Sequence, residues 1–288
     1  MTDRVHPAGF TTTRATPARI YDTLLGGKDN YAVDREAARR ILEREPNAQL
    51  IVKENRAFLR RVVSYLVGEC GIRQIIDLGS GLPEQDNVHQ VAQRIAPGTR
   101  VVYVDNDPIV LAHGRARLAD NPDTAVVSAD LRDADTVLHH PDTRALIDLT
   151  RPWALLAVAV FHFIPQQDPA HILDAYRALM PPGSCLALSH LSQDATTPEV
   201  AEEITRIYQD ATAPLVLRSR AEIARLFAGM EMAEPGLDLI MRWRPPTPPI
   251  RPERVWLYGG VGRHPLPPGT GPARPGPASP AAGEAVCS

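Results

Sequence analysis

Apolar positions along this chain recur with two different periods. From Lys53 to Val67, the residues Phe58, Leu59, Val62, Val63, Leu66 and Val67 fall on one helical face. Downstream, five short apolar runs read as strands: Gln74–Leu78, Arg100–Val104, Thr124–Ala129, Trp153–Val160 and Ser184–Ser189. Helical stretches at about 87–96, 107–119, 133–139 and 169–180 separate them. Asp168 ahead of Pro169 predicts a capped helix start, and Ser219-Arg220-Ala221-Glu222 is a capping box opening a helix that runs through Phe227 and stops near Gly229. Two further strand-like runs, Leu237–Trp243 and Val255–Val261, flank a Pro-rich loop and suit an antiparallel pair. Strands alternating with helices of 10–15 residues predict an α/β fold, a doubly wound and mostly parallel sheet covered on both faces. Such sheets bind ligands beyond the carboxyl ends of their strands.

The pattern sets an alternating core over 53–262 apart from an N-terminal segment over 1–52 and a Pro/Gly/Ala-rich tail over 263–288. The tail has too few large apolar groups to offset its ordering entropy and is expected to be disordered. Apolar residues make up 44% of the 288 and charged residues 23%, ordinary values for a globular protein. The longest apolar run, Trp153–Ile164, is shorter than the roughly 20 residues a membrane helix needs, and no secretory signal opens the chain. A cytoplasmic protein without a membrane partner is the expectation. A net charge of −3 argues against nucleic-acid binding by bulk electrostatics. Three scattered cysteines, Cys70, Cys185 and Cys287, suit neither a disulfide framework nor a metal site. Nothing in the pattern fixes an oligomeric state.

Candidate chemistry stands where the predicted strands end. The first is followed by Asp77-Leu78-Gly79-Ser80-Gly81, where glycine lets the backbone turn sharply and approach a ligand. A dinucleotide fingerprint would place a third glycine at 84, where this chain has Glu84. That departure counts against a nicotinamide cofactor and suits one whose nearby end is an amino acid. The second strand ends in Asp105-Asn106-Asp107. Asp105 can accept from both hydroxyls of a ribose, whereas Asp107, directly before Pro108, reads as a helix cap. The third ends in Asp130-Leu131, an acceptor for an exocyclic amine beside an apolar edge. The fourth brings Phe161-His162-Phe163 to the mouth.

In this order, glycines, ribose acceptor, amine acceptor and aromatic mouth resemble a class I S-adenosylmethionine-dependent methyltransferase over residues 53–262. The segment Ala18 to Tyr31, with its YDTLLGGKDNY run, together with DLGSGLPEQDNVHQVAQ (77–93), VVYVDNDPIVLAHGRA (101–116) and FHFIP (161–165), resembles one bacterial family of these enzymes. The resemblance implies a Rossmann-like sheet of seven strands with the last antiparallel, an N-terminal helical cap, and S-adenosyl-L-methionine as cofactor. It implies cofactor binding by Asp77, Gly79, Ser80, Gly81, Asp105, Asn106, Asp130 and Leu131. Asn55 and Arg56 are candidates for the carboxylate of its methionine end. The polar density around Gly26-Gly27 reads as a lid, with Lys28, Asn30 and Tyr31 near a small-molecule substrate. If the acceptor needs a general base, His162 and Tyr21 are the candidates. The competing reading is a non-catalytic protein that binds the same cofactor as a sensor or scaffold.

Overall fold

A computed structural model of the protein describes residues 11–118, 121–164 and 169–267. Three helices come first: α1 (Pro17–Leu25), α2 (Ala32–Arg44) and α3 (Ala48–Gly68). The alternating region follows as β1 (Gln74–Leu78), α4 (Val88–Ile95), β2 (Arg100–Asp105), α5 (Pro108–Arg117), β3 (Thr124–Ser128), α6 (Ala134–His139), α7 (Pro141–Leu146) and β4 (Ala154–Val158). Then come α8 (Pro169–Arg177), β5 (Cys185–Leu191), α9 (Pro198–Gln209), α10 (Arg220–Arg225), β6 (Glu231–Met232), β7 (Asp238–Leu239) and β8 (Leu257–Arg263).

The sheet runs β3-β2-β1-β4-β5-β8-β6, with β1 to β5 parallel and β8 antiparallel to β5. The two-residue strands β6 and β7 pair with successive parts of β8, at Gly262 and at Gly259. They share one edge position, so eight strands fill seven places. Alternate residues of each strand face opposite cores. Ile75, Val101 and Tyr103 pack towards α3 and α4, while Ile76, Val102 and Val104 join the core under α6 and α8.

The five parallel strands lie within a few residues of the predicted runs, because strands buried on both faces are nearly continuous apolar sequence. Elsewhere the structure departs from the pattern. Of the run Leu237–Trp243, only Asp238 and Leu239 pair as strand; Ile240–Arg242 turn as a 3-10 helix. That turn buries Ile240 and Trp243, three residues apart, on one side, and Trp243 packs edge-on against Phe58 and Tyr65. Helix α3 begins at Ala48, since Ala48, Ile51 and Val52 extend its buried stripe, so residues 52 and 53 lie in mid-helix. Ile20 and Leu24 of α1 share one core with the sheet residues Ile75 and Leu156. At the other end β8 runs to Arg263, and His264 exchanges backbone hydrogen bonds with Gly183 and Ser184. Asp168 and residues 268–288 lie outside the described residues. No helix among the described residues is long and apolar enough to cross a membrane.

Candidate functional site

A cavity of about 570 Å³ opens at the carboxyl ends of β1, β2, β3 and β4. Its floor is the turn after β1. The amides of Gly79 and Ser80 donate to the Val104 carbonyl at 2.8 and 3.2 Å, folding the turn back over β2. Gly79 and Gly81 both sit at positive φ, +64° and +66°. A Cβ on Gly79 would stand 2.3 Å from Cγ2 of Val160, whereas one on Gly81 would meet nothing within 4 Å. Gly79 is therefore required by packing, and Gly81 presents bare backbone to open space.

Asp105, at the end of β2, holds this floor in place. One carboxylate oxygen accepts from the Gly81 amide and the other from the Asp107 amide, each at 3.0 Å. Burial pushes its carboxyl above the ordinary range, and those two backbone donors oppose the shift. Asp107 caps α5 by accepting from Ile109 N at 2.8 Å, the role its place before proline suggested. Asn106 lines the cavity between them. Asp130 and Leu131 line the far wall. The Arg132 guanidinium grips the Asp130 carboxylate and lowers its pKa, and the Leu131 carbonyl accepts from Tyr176 OH at 2.8 Å.

Asp77 is buried at the end of β1, and loss of hydration pushes its carboxyl up to about 7. Arg56 nearby pulls the value down and Asp105 adds to the rise. Folding therefore favours protonated Asp77, and this stabilisation, complete below the ordinary carboxylate value, is lost as pH climbs towards 7. A cationic group docking here would reverse the shift and expel the proton. Titrating S-adenosylhomocysteine at pH 7 in buffers of different ionisation enthalpy should show protons released on binding. The Asp77→Asn variant should bind without that release.

Helices α1 and α3 close the cavity on the N-terminal side. Thr16, Pro17, Arg19 and Tyr21 of the first segment and Asn55 and Arg56 of α3 line it. A chain of side-chain bonds ties these elements to the sheet. Tyr21 donates to the Val52 carbonyl at 3.0 Å and accepts from Asn55 Nδ2 at 3.1 Å. Asn55 Oδ1 accepts from Ser189 Oγ at 2.7 Å, and that hydroxyl accepts from the Ala159 amide at 3.0 Å. Ala159 has φ +56°, a left-handed backbone that is rare for a residue with a Cβ, and the amide bonds from it to Ser189 help hold it there.

The predicted residues thus divide into two groups. Asp77, Gly79, Ser80, Gly81, Asp105, Asn106, Asp130, Leu131 and Tyr21 come together around one cavity, with Asn55 and Arg56. Lys28, Asn30 and Tyr31 do not line it. Lys28 is exposed, Asn30 closes the turn by donating to Asp22 (2.7 Å) and to the Gly27 carbonyl, and the Tyr31 ring lies 5.2 Å from the Arg19 guanidinium. Gly26 is the left-handed C-cap of α1, and a Cβ on Gly27 would collide with the Asp22 carboxylate. Part of the polar density that suggested a lid is engaged within the cap, Asp22 by Asn30, and part outside it, Asp29 by Arg117 of α5 at 2.9 Å. His162 lies behind the cavity, lining a smaller pocket that adjoins it. Sequence reading missed Arg19, Arg132, Ala159 and the loop of Thr212, Ala213 and Pro214, all of which line the cavity. That loop is brought in by a bond from the Thr212 amide to the Ala15 carbonyl, a contact with no local sequence signal.

A glycine turn and carboxylates at the ends of adjoining parallel strands, in the order β3-β2-β1-β4-β5, define an α/β protein of the nucleoside-cofactor-binding class. The family described as S-adenosyl methyltransferase matches residues 3–265, and the chain belongs to it. The cofactor of that family is S-adenosyl-L-methionine. Among solved structures, the chain is similar to a candidate methyltransferase from Thermobifida fusca, at 40% identity and TM-score 0.84, over 91% of this chain and 100% of that one. A DUF574 family protein from Streptomyces avermitilis is similar at 39% identity and TM-score 0.84, over 88% and 99%. A candidate S-adenosyl-L-methionine-dependent methyltransferase from Mycolicibacterium vanbaalenii is 34% identical over 46% of this chain and 43% of its own length. The match thus spans under half the length of that curated relative.

Proposed function

We propose that the protein transfers a methyl group from S-adenosyl-L-methionine to a small-molecule acceptor. The observation that carries this reading is the placing of two acids, buried Asp77 and half-buried Asp105, around one cavity with the bare Gly81 backbone. The residues fit the cofactor: Asp77 suits its ammonium, Asp105 and Asn106 its ribose, and Asp130 and Leu131 its adenine. Asn55 and Arg56 are placed for its carboxylate. When bound, the cofactor supplies an electrophilic methyl group on a sulfonium.

What this chain adds is alignment and exclusion of water, and alignment alone is worth about 7–11 kcal/mol in well-oriented systems. Tyr21 serves as a fixed wall. Burial pushes its phenol up to about 12, and its proton is committed to the Val52 carbonyl. His162 is held well below its ordinary value by burial, with His190 and Arg218 adding to the effect, so it stays neutral and is a weak base. Both therefore position the acceptor, and the acceptor must bring a nucleophile that needs little help losing a proton. Incubating the protein with methyl-labelled cofactor and a pool of small metabolites tests this. Label should pass to the low-mass fraction, and the Asp105→Ala variant should lose that transfer. Label found solely on macromolecules would refute the small-molecule reading.

A further inference from the structure

Behind the main cavity lies a second pocket of about 70 Å³. Pro17, Tyr21, Asn55, Ala159 and Phe163 line both, so the two cavities adjoin across these residues. We propose that this inner pocket is the acceptor subsite, taking the apolar end of a small molecule that bears no negative charge there and whose nucleophilic atom stays at the Tyr21–Asn55–Ala159 boundary. The inference rests on the methyltransferase reading above and adds to it the class of acceptor.

The inner walls add α2, α9 and β8, which do not line the main cavity, to the helices α1 and α3 that line both. Leu24, Ile41, Ile51, Ile204, Trp256 and Leu257 supply an almost wholly apolar surface from α1, α2, α3, α9 and β8. An apolar cavity of about 150 Å³ holds a benzene. A pocket of half that size, open at one side, suits a branched alkyl end or the edge of a single ring.

Two of its polar groups, Glu45 and His162, are already directed. Glu45 accepts from Trp256 Nε1 at 3.0 Å and from the Asn47 amide at 2.9 Å. The tautomer of His162 follows from its neighbours. Arg218 donates to His190 Nε2 at 2.8 Å, so His190 carries its proton on Nδ1 and gives it to the Leu191 carbonyl at 2.7 Å. The Leu191 amide in turn faces His162 Nδ1 at 3.4 Å, leaving the proton of that ring on Nε2. The neutral His162 donor and the Glu45 carboxylate offer no positive counter-charge, so an entering anion would lose its hydration uncompensated. An uncharged alkyl group loses nothing and gains affinity, roughly fourfold for each methylene buried.

Isobutanol, isobutyrate and isobutylammonium share one apolar end and differ in charge, so they test the idea without knowledge of the true acceptor. The isoleucine methyl resonances of Ile41, Ile51 and Ile204 report on the pocket. Those of Ile76 and Ile172, buried in the other core, serve as controls. Isobutanol should move the first three and leave the controls still, and isobutyrate should bind at least tenfold more weakly than either of the other two probes. Ile204→Phe should abolish the shifts while S-adenosylhomocysteine affinity, measured by calorimetry, stays within about twofold. Isobutyrate binding as tightly as isobutanol, shifts spread evenly to Ile76 and Ile172, or no shift at all would overturn the proposal. Should Ile204→Phe fail to fold, the discrimination among the three probes by the unaltered protein decides. Failure of S-adenosylhomocysteine to bind would instead refute the cofactor reading, and the isobutanol shifts would still judge the pocket.

Discussion

Asp105→Ala should weaken S-adenosylhomocysteine binding by roughly ten- to a hundredfold, the loss of about 1.5–3 kcal/mol expected for hydrogen bonds to a sheltered charge. The structure adds a second consequence. Both oxygens of Asp105 accept backbone amides, from Gly81 and from Asp107, so the same carboxylate that would meet the ribose also shapes the turn that receives the cofactor. Asp105→Asn separates the two roles in part, because its one remaining carbonyl oxygen can serve a single amide. Calorimetry should therefore rank affinity as the unaltered protein, then Asn, then Ala. Circular dichroism should show the fold intact in both variants. An alanine variant that bound as well as the unaltered protein would remove Asp105 from the site.

The largest loss of stability is expected at the opposite wall, from Asp34→Ala. Asp34 and Arg19 are 0% and 1% exposed and stand 2.9 Å apart. The Arg19 Nε is out of line for a hydrogen bond to that oxygen, so the attraction is chiefly coulombic. Asp34 also accepts the amides of Thr16 (3.1 Å) and Tyr31 (2.8 Å), fixing both ends of the segment that lines the cavity. Removing it leaves a buried guanidinium without its partner, a change that typically costs about 3–5 kcal/mol. In a chain of this size that lowers the melting temperature by on the order of 10 °C. Replacing both partners, Arg19→Met with Asp34→Leu, should recover part of the loss, since no uncompensated charge remains. A melting temperature unchanged in Asp34→Ala would show that the pair does not hold the cap.

What was legible in the sequence follows from how local each feature is. Strands buried on both faces are apolar runs in any context, so Gln74–Leu78 could be read directly and matched β1 residue for residue. The strand-end residues Gly79, Asp105 and Asp130 were legible because parallel topology dictates that ligands meet strand ends. Helix α7 and strands β6 and β7 have two to six residues each, too few to show a period. The partners within the N-terminal segment were not legible for another reason. Asp22, Asn30, Asp34 and Arg19 are as polar as a substrate-binding lid, and their mutual pairing appears once the chain is folded. The inner pocket was beyond reach, since Leu24, Ile204 and Trp256 meet across more than two hundred residues of chain.

Hydrogen exchange with and without S-adenosylhomocysteine tests the central claim, that the cofactor sits on the glycine turn between Asp77 and Asp105. The ligand should slow exchange at the amides of Ser80, Gly81, Asn106 and Leu131, which line the cavity. It should leave those of β6 and β7, at the far edge of the sheet, unchanged. Saturating ligand that protects none of the four, or protects amides elsewhere alone, would contradict the account.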